Sequence, residues 1–131
     1  MYQKIIIVGR LGKDPEQRFT PTGHAVTTFN VATDRQYKGQ QGEAVKETVW
    51  FKVTAWGKLA ETCNTYLLKG KLVLVEGRLT VDPATNEPHT WMGSDGNPHA
   101  SYEVTAETVK FIGGGSKESE PQDAPDQEYP F

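Results

Sequence analysis

Residues 47 to 58, E-T-V-W-F-K-V-T-A-W-G-K, hold the side chains of this chain best suited to engaging another molecule. If the segment is a strand, alternation puts Trp50, Lys52, Thr54 and Trp56 on one face and Phe51, Val53 and Ala55 on the other. Aromatic residues are common in strands, so two indoles could simply pack under a loop or a second subunit. The opposite face already offers Phe51, Val53 and Ala55 to a core, however, which leaves the Trp-Lys-Trp face uncovered. Two indoles beside an ammonium group form a platform on which flat bases stack while the cation meets their phosphates.

Catalytic chemistry finds little footing. Gly9-x-x-Gly12-Lys13 has the look of a phosphate loop, but its spacing is too short, Asp14 replaces the Ser or Thr, and no helical pattern follows Pro15. No acid cluster and no nucleophile paired with a base stands out. Cys63 is the sole cysteine, which excludes a disulfide framework and a thiolate metal cluster. His24, His89 and His99 lack the spacing of a structural zinc site, so neither metal nor cofactor is expected. A nuclease or nucleotide-dependent enzyme is therefore disfavoured. A purely structural module of a larger assembly would need neither the platform nor the aromatic chain end described below.

The platform must be held by a small β-rich domain. Residues 4–8 form an apolar run closed by Gly9, and residues 25–33 alternate as a second strand. The Trp-bearing strand comes third, after a polar turn around residues 38–42. Residues 58–68 change period and put Leu59, Cys63, Tyr66 and Leu67 on one helical stripe, with Gly70 as the stop. Residues 71–81 return to strand character, and the internal Gly77 marks a bulge that lets a small sheet curl shut. Residues 102–112 make the fifth strand. Five strands with one helix between the third and fourth is the order of the OB-fold, an all-β Greek-key barrel. The long connection over residues 82–100 reads as a projecting arm or hairpin with an exposed Trp91 at its middle.

The totals agree with one core. The chain has 131 residues, 36% of them apolar, and no run long enough to cross a bilayer or shaped like a secretion signal, so a cytoplasmic protein without membrane contact is expected. Its net charge of −3 is unevenly spread: residues 1–112 carry +1 and residues 113–131 carry −4. A near-neutral body can still hold a basic groove, because binding follows local potential. From residue 113 onward, G-G-G-S followed by an acidic, apolar-poor stretch reads as a disordered tail, separate from the domain over residues 1–112. The tail nevertheless ends on Tyr129, Pro130 and Phe131, rings that a partner's pocket could bury while a basic rim pairs with Asp126, Glu128 and the terminal carboxylate.

Several dispersed motifs in order carry a family resemblance: K-I-I-I-V-G-R-L-G-K-D-P-E from Lys4 to Glu16 with Arg18-Phe19, then Thr20-Pro21, Gly23 and Ala25-Val26. Trp50, W-G-K-L-A-E from Trp56, Tyr66-Leu67, Lys69-Gly70 and V-E-G-R-L from Val75 continue the series. Over almost its whole length the chain resembles bacterial single-stranded DNA-binding proteins. The resemblance implies an OB-fold homotetramer that coats single-stranded DNA without reading sequence, during replication, recombination and repair, and recruits proteins of those processes through its acidic C-terminal tip. By position it assigns base stacking to Tyr37, Trp50, Trp56 and, more loosely, Trp91. Phosphate contacts fall on Lys4, Arg18, Lys52, Lys58 and Lys69; Arg10, Lys13, Arg35 and Arg78 stay unassigned. Tyr37 stands where many members have Trp, Phe51 where several have His, and the tail ends D-Q-E-Y-P-F in place of a longer run of acids.

Overall fold

The computed structural model describes residues 1–113; the tail positions Asp126, Glu128, Tyr129, Pro130 and Phe131 lie outside the described residues. In chain order the elements are β1 (Ile5–Leu11), β2 (Glu16–Phe19), β3 (Ala25–Lys38), β4 (Ala44–Trp56), α1 (Gly57–Tyr66), β5 (Leu72–Leu79), β6 (Thr90–Met92), β7 (Pro98–Ala100) and β8 (Tyr102–Gly113). The main sheet runs β1-β5-β8-β4-β3-β2, and β1 also pairs with β3 through Arg10↔Ala32 and Leu11↔Val31. That second pairing closes β1, β3, β4, β8 and β5 into a barrel. Its β4–β8 contact is parallel and its other pairings are antiparallel. The helix falls between the third and fourth barrel strands, as the sequence order predicts for an OB-fold.

Alternation fills the interior. Val31, Val53, Val73, Val75 and Val104 are fully buried, joined by Ile7, Leu11 and Phe29. The helix closes the barrel with Ala60 and Cys63, and the buried Leu67 follows it, while Leu59 is half-buried against the same core. Tyr66 lies at the margin, its ring 6.0 Å from that of Phe111. Thr27, the buried polar side chain of this core, donates its hydroxyl to the Ala60 carbonyl at 2.8 Å, so helix and barrel are joined without an unsatisfied group. At Gly77 the β5–β8 register shifts, and a Cβ would stand 2.0 Å from the Thr105 carbonyl oxygen. The bulge expected there is thus a place where two backbones approach too closely for any side chain.

Two features go beyond the sequence reading, and a third settles one of its alternatives. The short strand β2, E-Q-R-F, carries no apolar alternation and forms because β3 offers it an open edge, from Glu16↔Thr28 to Phe19↔Ala25. Strands β3 and β4 continue past the barrel as a ribbon to Lys38↔Ala44. Polar cross-strand pairs support that ribbon: Arg35 to Glu47 at 3.3 Å, and the Thr48 hydroxyl donating to Asp34 at 2.8 Å. The long connection before the last strand is a hairpin, β6 on β7, with Trp91↔His99 at its centre.

Candidate nucleic-acid interface

The third barrel strand sorts its side chains as alternation requires. Val53 and Ala55 are fully buried and Phe51 packs at the core edge, whereas Trp50 and Trp56 remain 52% and 50% exposed. Register extends the outer face into rungs, since directly opposite residues share a side. One rung joins Arg10, Ala32 and Trp50; another joins Asn30, Lys52 and Glu103; a third joins Arg18, Val26 and Trp56. Lys52 therefore stands between the two indoles.

Two open hollows meet at Asn30 and Lys52. The larger, about 460 Å³, runs between Trp50 and Trp91 over Phe51, His89, Ser101 and Glu103. The smaller, about 290 Å³, is bordered by Lys13, Arg18 and Lys52 together with Asp14 and Glu16. The Trp50 ring rests against Gly12, where an added Cβ would come within 2.6 Å of the indole. Gly12 lies in the β1–β2 loop, which is itself anchored: the Asp14 carboxylate accepts the Lys69 backbone N–H at 2.9 Å, and Arg10 donates to the Gly70 carbonyl at 3.0 Å. Trp50 is thus backed by the β1–β2 loop, which is tied in turn to the loop that follows α1, and Trp50 also lines the larger hollow.

Trp91, on the β6–β7 hairpin, is 47% exposed. Its ring stacks on His99, with centroids 5.9 Å apart and planes 23° apart, and His89 lies tilted at 6.2 Å. Each imidazole is in turn near an acid. His99 Nε2 is 3.2 Å from Asp95, whose carboxyl is held below its ordinary range first by the Asn97 backbone N–H and then by His99. His89 Nδ1 is 3.6 Å from Glu103 Oε2, which also accepts the Ser101 hydroxyl in a short hydrogen bond.

The remaining expected positions are dispersed. Tyr37 belongs to the β3–β4 ribbon, opposite Val45, with the Arg35 guanidinium 4.8 Å from its ring centroid. Odd separation along β4 puts Val45, and hence Tyr37, on the other side of the ribbon from Trp50, roughly 17 Å away at 3.4 Å per residue. Lys58 is exposed in the first turn of α1, two residues after Trp56, and Lys69 is exposed beyond its end. Lys4 lines neither hollow. It sits 3.5 Å from Glu107 and 3.8 Å from Glu76, beside Arg78, and its pKa is raised by Tyr2 most of all and then by those two carboxylates. Of the unassigned cations, Lys13 borders the smaller hollow, Arg35 pairs with Glu47 and Arg78 with Glu107. Sequence reasoning missed Asn30, His89, His99 and Glu103, whose places depend on cross-strand register. Among the described residues no group of His, Cys, Asp and Glu could hold a metal ion, and no helix is long and apolar enough to cross a membrane.

A closed barrel of this strand order, with an open face of indoles and cations, defines the chain as an OB-fold module. The model of the Single-strand binding protein family matches residues 2–112, and the chain belongs to that family. The single-stranded DNA-binding protein of Neisseria meningitidis serogroup A is 39% identical over 116 residues, covering 88% of this chain and 63% of its own. That of Thermotoga maritima is 40% identical over 111 residues, covering 85% and 74%. This chain thus spans less than two thirds of the length of the Neisseria relative. Among solved structures, a Plasmodium falciparum SSB in complex with ssDNA superposes with a TM-score of 0.69 at 23% identity, covering 86% of this chain and 96% of that one. A small single-stranded DNA-binding protein from Streptomyces coelicolor gives 0.67 at 24% identity, covering 83% and 93%. At such identities these two likenesses speak for the fold.

Proposed function

We propose that this protein binds single-stranded DNA without chemistry, stacking bases on Trp50, Trp56 and Trp91 while Lys52, Arg18, Lys58 and Lys69 meet the phosphates. The observation that carries the reading is the uncovered Trp50-Lys52-Trp56 face of β4, continuous with a groove whose far wall is Trp91. Each base stacked on an aromatic ring contributes about 1–3 kcal/mol whatever its identity, so such a face grips any unpaired strand. Tyr37 with Arg35 supplies a further station on the ribbon. Lys4, committed to Glu76 and Glu107, plays at most a peripheral part.

Titration with oligo-dT while following Trp fluorescence at two salt concentrations tests this directly. Saturable quenching that weakens with salt and survives in part at high salt is expected, because counterion release is salt-dependent and stacking much less so. An unchanged fluorescence signal, with no complex on a gel, would end the proposal.

Membership of the family supports a wider reading, in which the protein coats strands during replication, recombination and repair in the cytoplasm as a homotetramer that recruits partners through Asp126, Glu128, Tyr129, Pro130 and Phe131. Sharing one ligand among several subunits multiplies a modest per-subunit affinity. The exposed outer side chains Ile6 and Val8 of β1 support self-association, being apolar and without cover in the single chain. Light scattering should return a four-chain mass, and a single-chain mass would remove the tetramer. Partner recruitment predicts that a peptide of the last nine residues competes with the whole protein for a replication or repair protein; absence of competition would discard the tip as the docking element.

A further inference from the structure

Trp91 stands on a hairpin without a buried side chain, so no core fixes its rotamer, and an indole free to swing would have to be stilled by each base it receives. The hairpin supplies a backing from its own turn. His99, directly opposite in the β6–β7 register, lays its imidazole along the indole with 5.9 Å between centroids and 23° between planes. That imidazole is itself fixed from two sides. Its Nε2 donates to Asp95 at 3.2 Å, since an ionised carboxylate only accepts, and Asp95 is held by the Asn97 backbone N–H at 3.0 Å. It also lies over Gly93, where an added Cβ would come within 2.5 Å of Nε2. Asn97, Asp95, His99 and Trp91 thus form a chain of contacts from the turn backbone to the indole.

The two histidines beside Trp91 are placed differently. His89 tilts against the same ring and lines the larger hollow with Trp50, Lys52 and Trp91, whereas His99 has no part in that lining. We propose that His99 is a positioning residue: it covers one face of Trp91 from outside the groove and so presents the opposite face to an incoming base. The inference rests on the binding reading above and adds to it a residue that acts on the strand only through another. Ordering one side chain before the ligand arrives removes that cost from binding, an effect on the order of fivefold in affinity.

The experiment measures dissociation constants for a dT oligonucleotide, at one pH and salt concentration, for the whole protein, His99→Ala, Trp91→Ala and the double substitution. Beside them stands the order parameter of the Trp91 indole N–H in the free protein, with and without His99→Ala. Expected is that His99→Ala weakens binding about fivefold and lowers that order parameter, while in the Trp91→Ala background the same change has no further effect. With its side chain 43% exposed and no place in the core, His99 should be replaceable without loss of folding. A loss that persists undiminished in the Trp91→Ala background would show that the imidazole meets the strand itself. Equal affinity for His99→Ala and the parent, or an unaltered order parameter, would show that Trp91 needs no backing. Any of these results would overturn the proposal. Failure of the unsubstituted protein to bind the oligonucleotide would instead bring down the binding reading itself, and this inference with it.

Discussion

Trp50 and Trp56 are each half in solvent and take no part in the buried core, so their large side chains carry little folding energy for their size. Replacing either by Ala is expected to weaken binding to unstructured oligonucleotides by about 1–3 kcal/mol, with thermal midpoints close to the parent's. Equal affinity in both variants would remove the platform. Cys63 has the opposite character: fully buried, with burial pushing its thiol from 9.0 up to about 12. As pH rises above 9.0 the unfolded chain loses the thiol proton first, so the unfolded state holds fewer protons and folding stability declines through the window up to about 12. Below it the thiol makes no contribution to pH dependence. A thiol reagent at pH 8 should therefore modify Cys63 only when denaturant is added, and prompt reaction of the native protein would show that the helix–barrel contact opens. The exposure of the indoles and the burial of the cysteine were legible in the sequence, the first from period two and the second from the helical stripe. Glu103 was not, since nothing in Y-E-V-T-A distinguishes a groove carboxylate from a solvated one.

Among the elements, the barrel strands and the helix could be read because each buries one face, and burial enforces a period. The β6–β7 hairpin escaped such reading in detail. It has no buried side chain, and its ordering comes from local turns, such as the Gly93 N–H to the Asn97 carbonyl at 2.8 Å, and from the Trp91–His99 stack. Replacing residues 84–99 by a short turn should accordingly leave the melting temperature nearly unchanged while lowering single-strand affinity several-fold, the share of one stacking ring. A large fall in melting temperature would mean that the hairpin supports the barrel. Strand β2 was illegible for a related reason: its stability comes from the open edge of β3, a property of the neighbour and not of E-Q-R-F.

At the scale of the whole molecule the charge is divided between a near-neutral barrel and an acidic chain end, and the two should be separable in function. Deleting residues 123–131 should leave DNA affinity intact, or raise it by relieving competition between tail carboxylates and phosphates for Lys13, Arg18 and Lys52, most visibly at low salt. A marked loss of affinity on that deletion would contradict this division. The sequence by itself determined the strand and helix order, the face that Trp50, Lys52 and Trp56 share, and the acidity of the tail, because periodicity and composition are properties of neighbours along the chain. Closure of β1 onto β3, the meeting of Trp91 with Trp50 across one groove, and the pairing of Lys4 with Glu76 and Glu107 were decided by the tertiary structure. Each joins residues far apart in sequence, and such contacts are set by register and barrel curvature, which local pattern does not encode.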